Sequence, residues 1–128
     1  VKYAFNDLKI GKIDISLDTF PFGGATTTFE SLWMGVPTIT LSGKIFNSKF
    51  GVSINKNLNL SNFIAKDKID YIKKARIISS DFERLSKIRQ SLRNLAIKSA
   101  LFDNKSIGLD MCKILKDKWN LFSKQNKN

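Results

Sequence analysis

Two short apolar segments, Ile13-Asp14-Ile15-Ser16-Leu17 and Thr38-Ile39-Thr40-Leu41, bracket a run that allows few folds. In the first segment Ile13, Ile15 and Leu17 alternate with Asp14 and Ser16, the period of a half-buried strand. Asp18 to Gly24 must then be a loop, because Pro21 and the Gly23-Gly24 pair interrupt any regular backbone. Thr26-Thr27-Thr28 opens a helix whose Phe29, Leu32 and Trp33 share one face by i, i+3, i+4 spacing. Gly35 suits a left-handed helix stop, and Pro37 forbids continuation. A strand, a crossover helix and a second strand in this order pair in parallel, so the segment specifies a βαβ unit and an α/β sheet.

The rest of the chain changes period. Ser42 to Phe46 reads as a loop, a helix is expected to start near Ser48, and Ile64 belongs to a short edge strand. From Asp67 onward the pattern is helical, with Tyr71, Ala75 and Ile78 on one face. Ser80-Asp81-Phe82-Glu83 fits a capping box with Ser80 as N-cap. The helix it opens is expected to bury Phe82, Leu85, Ile88, Leu92 and Leu95. Asp103 caps a last helix with Ile107, Met111, Ile114, Leu115, Trp119 and Phe122 inward, and the polar tail 124–128 is expected to fray. Trp33 and Trp119 are assigned to the core, and Cys112 to the role of a small buried hydrophobe. Residues 1–128 are read as one domain, with an α/β part (1–65), closing helices (66–123) and the tail.

Composition removes several function classes. No apolar run reaches the length of a membrane helix, about 18 residues, and the first residues lack a secretory signal. The expected location is cytoplasmic, and one cysteine forms no internal disulfide. With no histidine in the chain, a His-based metal site or triad is excluded here. The net charge of +11 raises the question of nucleic acid. However, residues 1–65 hold six Lys or Arg against four Asp or Glu, while residues 66–128 hold sixteen against seven. The excess lies on polar helix faces and is mostly lysine, which attracts phosphate without reading bases. A solvated surface is the expected reading, and nucleic-acid binding is disfavoured.

The chemistry is expected where the loop enters the helix. In an open parallel sheet, ligands bind beyond the carboxyl ends of the strands. A helix start there offers unpaired amides and a partial positive charge of about half a unit. Gly23 and Gly24 admit a ligand close to the backbone, and Thr26, Thr27 and Thr28 add hydroxyls. Such a place can cradle a diphosphate, while Glu30, one turn further on, is placed to accept from the hydroxyls of a ribose. The same residues also make an ordinary helix start with threonine as cap. There is no P-loop signature and no Rossmann glycine triplet. Asp18 either faces a ligand or caps the turn, and both readings stand at this point.

The run Asp14 to Pro21, then Thr26-Thr27-Thr28, then Glu30 to Pro37, resembles the signature of the O-linked N-acetylglucosamine transferase and SPINDLY-like glycosyltransferase family. The resemblance continues through Ser42-Gly43, Ser48-Lys49-Phe50-Gly51, Ile64-Ala65 and Leu101-Phe102-Asp103, and so spans nearly the whole chain. It implies the Rossmann-like C-terminal half of a GT-B glycosyltransferase with a helical C-terminal extension. The implied donor-binding residues are Gly24, Ala25, Thr26, Thr27, Thr28 and Glu30, with Asn6 near the base where the family carries histidine. Lys49 stands where the family has arginine, which removes a planar fork.

The activity so implied is metal-independent transfer of a sugar, UDP-GlcNAc being the expected donor, to protein Ser or Thr hydroxyls. Neither cofactor nor metal is expected. The partners would be the UDP-sugar, a protein acceptor, an N-terminal catalytic half and tetratricopeptide repeats in a longer chain, with no membrane partner. Because the chain starts at Val1 and not at Met, it is expected to be a fragment without catalytic residues of its own. Two alternatives stay open: a related enzyme using UDP-glucose on asparagine or GDP-fucose on Ser/Thr, and a noncatalytic basic module for nucleic acid or protein.

Overall fold

A computed structural model describes residues 13–125. Its centre is a parallel sheet of three short strands, β1 (Ser16–Leu17), β2 (Thr38–Leu41) and β3 (Ile64–Ala65), with β2 in the middle. Ser16 pairs with Thr38 and Leu17 with Ile39 on one side of β2, while Thr40 pairs with Ile64 and Leu41 with Ala65 on the other. Helix α1 (Thr26–Trp33) joins β1 to β2, and α2 (Phe50–Asn57) lies between β2 and β3. Three further helices follow: α3 (Lys68–Ser80), α4 (Phe82–Ile97) and α5 (Asn104–Gln125). The architecture is the expected one, a Rossmann-like α/β arrangement with a helical extension.

β2 is the axis of the fold because its residues tolerate burial on both faces, as a central parallel strand requires. Thr38, Ile39 and Thr40 are all buried. Asn55 of α2, also fully buried, donates from Nδ2 to the Thr38 carbonyl at 2.9 Å and so fastens the helix to the strand. Leu32, Ile54, Leu58, Leu92 and Ala96 form the apolar core where α1, α2 and α4 meet. Full burial stabilises each such leucine or isoleucine by about 1.5–3 kcal/mol. Phe29, Leu60, Leu101 and Phe102 pack against this cluster.

The end of α1 is fixed by geometry that only glycine meets without strain. Gly35 has φ +72°, and a β-carbon there would stand 2.9 Å from the Arg89 carbonyl. Arg89 in turn donates from Nε to the Gly35 carbonyl at 3.3 Å, and its guanidinium pairs with Asp14. One side chain of α4 thereby holds both the end of α1 and the approach to β1.

Several expectations are corrected. In β1 only Ile15 of the alternating set is half-buried; Ile13 and Leu17 are exposed, so the covering of that face among the described residues reaches the middle of the set and not its ends. The N-cap of α4 is Asp81, whose carboxylate accepts from Arg84 N–H, while Ser80 still belongs to α3 and donates to the Arg76 carbonyl. Asp81 wins because a carboxylate is at least as good a cap as a hydroxyl and Ser80 can still back-bond its own helix. Phe82, next to this cap, points outward at 76% exposure, and Leu95 is exposed too, whereas Leu85 and Leu92 are buried and Ile88 half-buried. Trp33 is not core: it is exposed, with the Phe102 ring at 5.9 Å and the Arg93 guanidinium over its own ring at 4.1 Å.

The largest departure is α5. Asp103 caps it as expected, accepting from Ser106 N–H at 3.0 Å, and it continues to Gln125. Its amphipathic pattern is present, but Ile107, Met111, Ile114, Leu115, Trp119 and Phe122 are all more than half exposed, and Cys112 is exposed too. Periodicity identifies the face that can be buried and says nothing of whether a partner surface lies within the same chain. The residues of the tail beyond Gln125 lie outside the described ones.

Candidate functional site

The loop Asp18 to Ala25 leaves the carboxyl end of β1 and delivers the chain into α1, at the position expected for a ligand site in a parallel sheet. Asp18 organises it. Only 8% exposed, its carboxylate accepts from Gly24 N–H through Oδ1 and from the Thr40 hydroxyl through Oδ2, both at 2.7 Å. Its backbone is held as well, with N–H donating to the Ile39 carbonyl at 2.9 Å and its carbonyl accepting from the Tyr71 hydroxyl at 2.7 Å. Of the two readings of Asp18, capping of the turn is the one the structure gives. Tyr71 was expected only as an apolar-face residue; burial first, and then the charge of Asp18, raise its phenol above the ordinary value of 10.0.

Close packing backs this carboxylate. A β-carbon at Gly51 would sit 2.5 Å from Thr40 Oγ1 and 2.7 Å from Asp18 Oδ2, so α2 presses its second residue against the pair. Gly23 N–H donates to the Asn47 carbonyl at 3.3 Å, which ties the loop to the neighbouring turn ahead of α2. Aromatic rings line the outer edge: Phe20 packs edge-on against Tyr71, with Lys68 over its ring, and Phe22 and Phe46 are exposed.

At the helix start, Ala25 is the N-cap residue and makes no side-chain capping bond. The ladder of α1 begins with Thr28 N–H and Phe29 N–H, both donating to the Ala25 carbonyl at 3.1 Å. The amides of Ala25, Thr26 and Thr27 precede that ladder, as the first amides of any helix do. Thr26 and Thr27 are exposed there, and Ser31 of the next turn donates to the Thr27 carbonyl. Thr28 is different: it is buried and its hydroxyl donates to the Gly24 carbonyl at 2.8 Å, so its proton supports the turn. Gly24 likewise has its amide engaged by Asp18, and its α-carbon is covered by the Thr27 and Thr28 hydroxyls. Gly23 is buried, so the two glycines serve close packing within the turn and do not leave the open backbone expected of them. Glu30 is half-buried one turn further along α1.

The structure therefore brings together Gly24, Ala25, Thr26, Thr27 and Thr28 at one turn, with Glu30 beside it. Asn6 lies outside the described residues. Sequence reasoning missed Thr40 and Tyr71 because they approach from 22 and 53 residues away. A hydroxyl in the middle of an otherwise buried strand was the one available hint. The remaining motif positions act as corners of this scaffold: Gly43 packs on Ser48, Ser48 donates to the Ile45 carbonyl, and Lys49 is the exposed residue before α2. Among the described residues no helix is long and apolar enough to cross a membrane.

Comparison with known proteins bears on the family of the chain. The family model described as glycosyl transferase family 41 matches residues 6–111. The chain is 41% identical over 110 residues to a probable UDP-N-acetylglucosamine–peptide N-acetylglucosaminyltransferase SPINDLY of Solanum lycopersicum, covering 86% of this chain and 12% of that protein. It is 28% identical over 109 residues to the UDP-N-acetylglucosamine–peptide N-acetylglucosaminyltransferase of Caenorhabditis elegans, with 85% and 10% covered. Among solved structures, a mutant O-GlcNAc transferase of Thermobaculum terrenum superposes with a TM-score of 0.79 at 29% identity, over 87% of this chain and 21% of that one.

Proposed function

This chain belongs to glycosyl transferase family 41, and from that premise we propose that it forms the donor-diphosphate part of a nucleotide-sugar-dependent protein glycosyltransferase. The proposed donor is UDP-GlcNAc and the proposed acceptor a protein Ser or Thr hydroxyl, in keeping with the names of the similar SPINDLY and nematode proteins. The chain spans about 12% of the tomato relative, and the catalytic groups are assigned to an N-terminal half of a longer protein that also carries tetratricopeptide repeats. Residues 1–128 are then one half-domain, operating in the cytoplasm and without a metal.

The observation that carries the reading is the start of α1. Its first amides and the exposed hydroxyls of Thr26 and Thr27 stand at the carboxyl end of β1, and the N-cap Ala25 makes no side-chain cap to them. A diphosphate seated there would receive backbone N–H and hydroxyl donors together with the positive end of the helix dipole. The same donors favour the leaving nucleoside diphosphate as charge builds on it during transfer, an electrostatic contribution of the oxyanion-hole kind. Glu30 is assigned to the ribose hydroxyls and Asn6 to the base.

Calorimetric titration of UDP into the full-length protein tests this. Thr26→Ala and Thr27→Ala should each weaken binding by about 1–2 kcal/mol, the scale of a hydrogen bond to a charged group. Unchanged UDP affinity in both variants would remove the diphosphate from this turn.

A further inference from the structure

We propose that Asp18 is a positioning residue for the donor: its buried carboxylate sets where the turn before α1 lies and so aims the amides that follow. The inference rests on the donor-diphosphate reading above and adds a residue that touches no ligand in it.

Asp18 Oδ1 takes the amide of Gly24, the residue directly before the N-cap Ala25. Oδ2 takes the hydroxyl of Thr40, which β2 holds buried at the centre of the sheet. The carboxylate thus spans from the rigid sheet to the glycine that immediately precedes Ala25, Thr26 and Thr27. It has little room to move, since the Gly51 α-carbon backs it from α2 and the Tyr71 hydroxyl pins its own carbonyl from α3. Gly24 has no β-carbon whose packing could fix the turn; Thr28 Oγ1 on its carbonyl ties it only to its own helix, and Gly23 N–H ties the loop to the Asn47 carbonyl, so the bond from the Gly24 amide is what joins that residue to the sheet.

A negative charge close to a diphosphate is unfavourable in itself, and this separates geometry from charge as the reason for Asp18. Asparagine keeps an oxygen for Gly24 N–H and presents an amide that can donate to Thr40 Oγ1 once that hydroxyl rotates. It preserves the span while removing the charge; alanine removes both.

The test is calorimetric titration of the full-length protein with UDP and with uridine, and in parallel with GDP and guanosine. The ratio of diphosphate to nucleoside affinity reports the turn alone. Asp18→Ala should weaken the diphosphate about tenfold and the nucleoside by less than about twofold, as expected for mis-set hydrogen bonds to a charged ligand. Asp18→Asn should restore the diphosphate to within about threefold of wild type, and Thr40→Val, which cuts the anchor to β2, should fall between the two. If Asp18→Ala does not fold, the Asp18→Asn and Thr40→Val results decide by the same ratio. Equal losses for diphosphate and nucleoside, wild-type affinity in Thr40→Val, or an asparagine variant as poor as alanine would each overturn the proposal. Absence of any diphosphate binding by the wild type overturns the donor-site reading first, and this inference with it.

Discussion

Gly51→Ala is the substitution whose cost the geometry lets one work out. The added methyl would lie 2.5 Å from Thr40 Oγ1, 2.7 Å from Asp18 Oδ2 and 2.8 Å from Thr40 Cβ, distances at which something must move. Thr40 sits on the central strand and cannot retreat, so the Asp18–Thr40 bond yields. Overpacking of this kind costs about 1–3 kcal/mol, and loss of a hydrogen bond to a charged group adds about 1.5–3 kcal/mol. The sum is about 2.5–6 kcal/mol. Thr40→Ala removes the bond, a buried methyl and the Oγ1 that the new methyl strikes first. Gly51→Ala then meets only Asp18 Oδ2 and Thr40 Cβ, so the double variant should be less destabilised than the sum of the singles by at least about 1.5–3 kcal/mol. Native-state hydrogen exchange at the β2 amides reads this local stability even within a larger protein. Strict additivity would show that the methyl never reaches the Asp18–Thr40 pair, and the packing argument would fall.

Glu30→Ala should reduce affinity for UDP far more than for inorganic pyrophosphate; equal losses would make the effect a folding defect. Tyr71 should titrate above 10.0. The folded-state value is raised, so its contribution to stability is complete below that pH and is lost as pH rises through the folded value. Tyr71→Phe should flatten this alkaline decline, and a Tyr71 midpoint at or below 10.0 in an ultraviolet titration would refute the assignment. In the 128-residue chain, Leu115→Gln on α5 should change stability by no more than about 0.5 kcal/mol, whereas Leu92→Ala in the core should cost about 2–5 kcal/mol. Comparable losses in urea unfolding would mean that α5 packs on the domain after all.

Most of the α/β part was legible because its signals are local. The Gly23-Gly24 turn, the threonine run, Gly35 and Pro37 mark α1 and its limits within a residue or so, and Thr38 to Leu41 reads directly as a buried strand. The strand–loop–helix order suggested an anion cradle at this turn, and the family resemblance made it the expected donor site. What failed was of two kinds. Ser80 and Asp81 compete for one capping position, and the choice depends on where α3 ends. Trp33, Trp119 and the apolar face of α5 show the second kind, in which amphipathicity states that burial is favourable without supplying the surface that would provide it. The Asp18 span was illegible for a third reason: its partners come together only once the sheet has formed.

Helix α1 is secured at both ends. Asp18 holds the turn before it through Gly24, and Arg89 reaches from α4 to the Gly35 carbonyl behind it. A helix so clamped neither slides nor pivots freely when an anion arrives at its start. Ligand binding would then require little loss of backbone entropy, and the favourable electrostatic energy would appear as affinity instead of being consumed in ordering the site. The corollary concerns α4. A change at Arg89, at the opposite end of α1 from the threonine turn, should loosen α1 from behind and register as slower capture and faster release of the nucleotide.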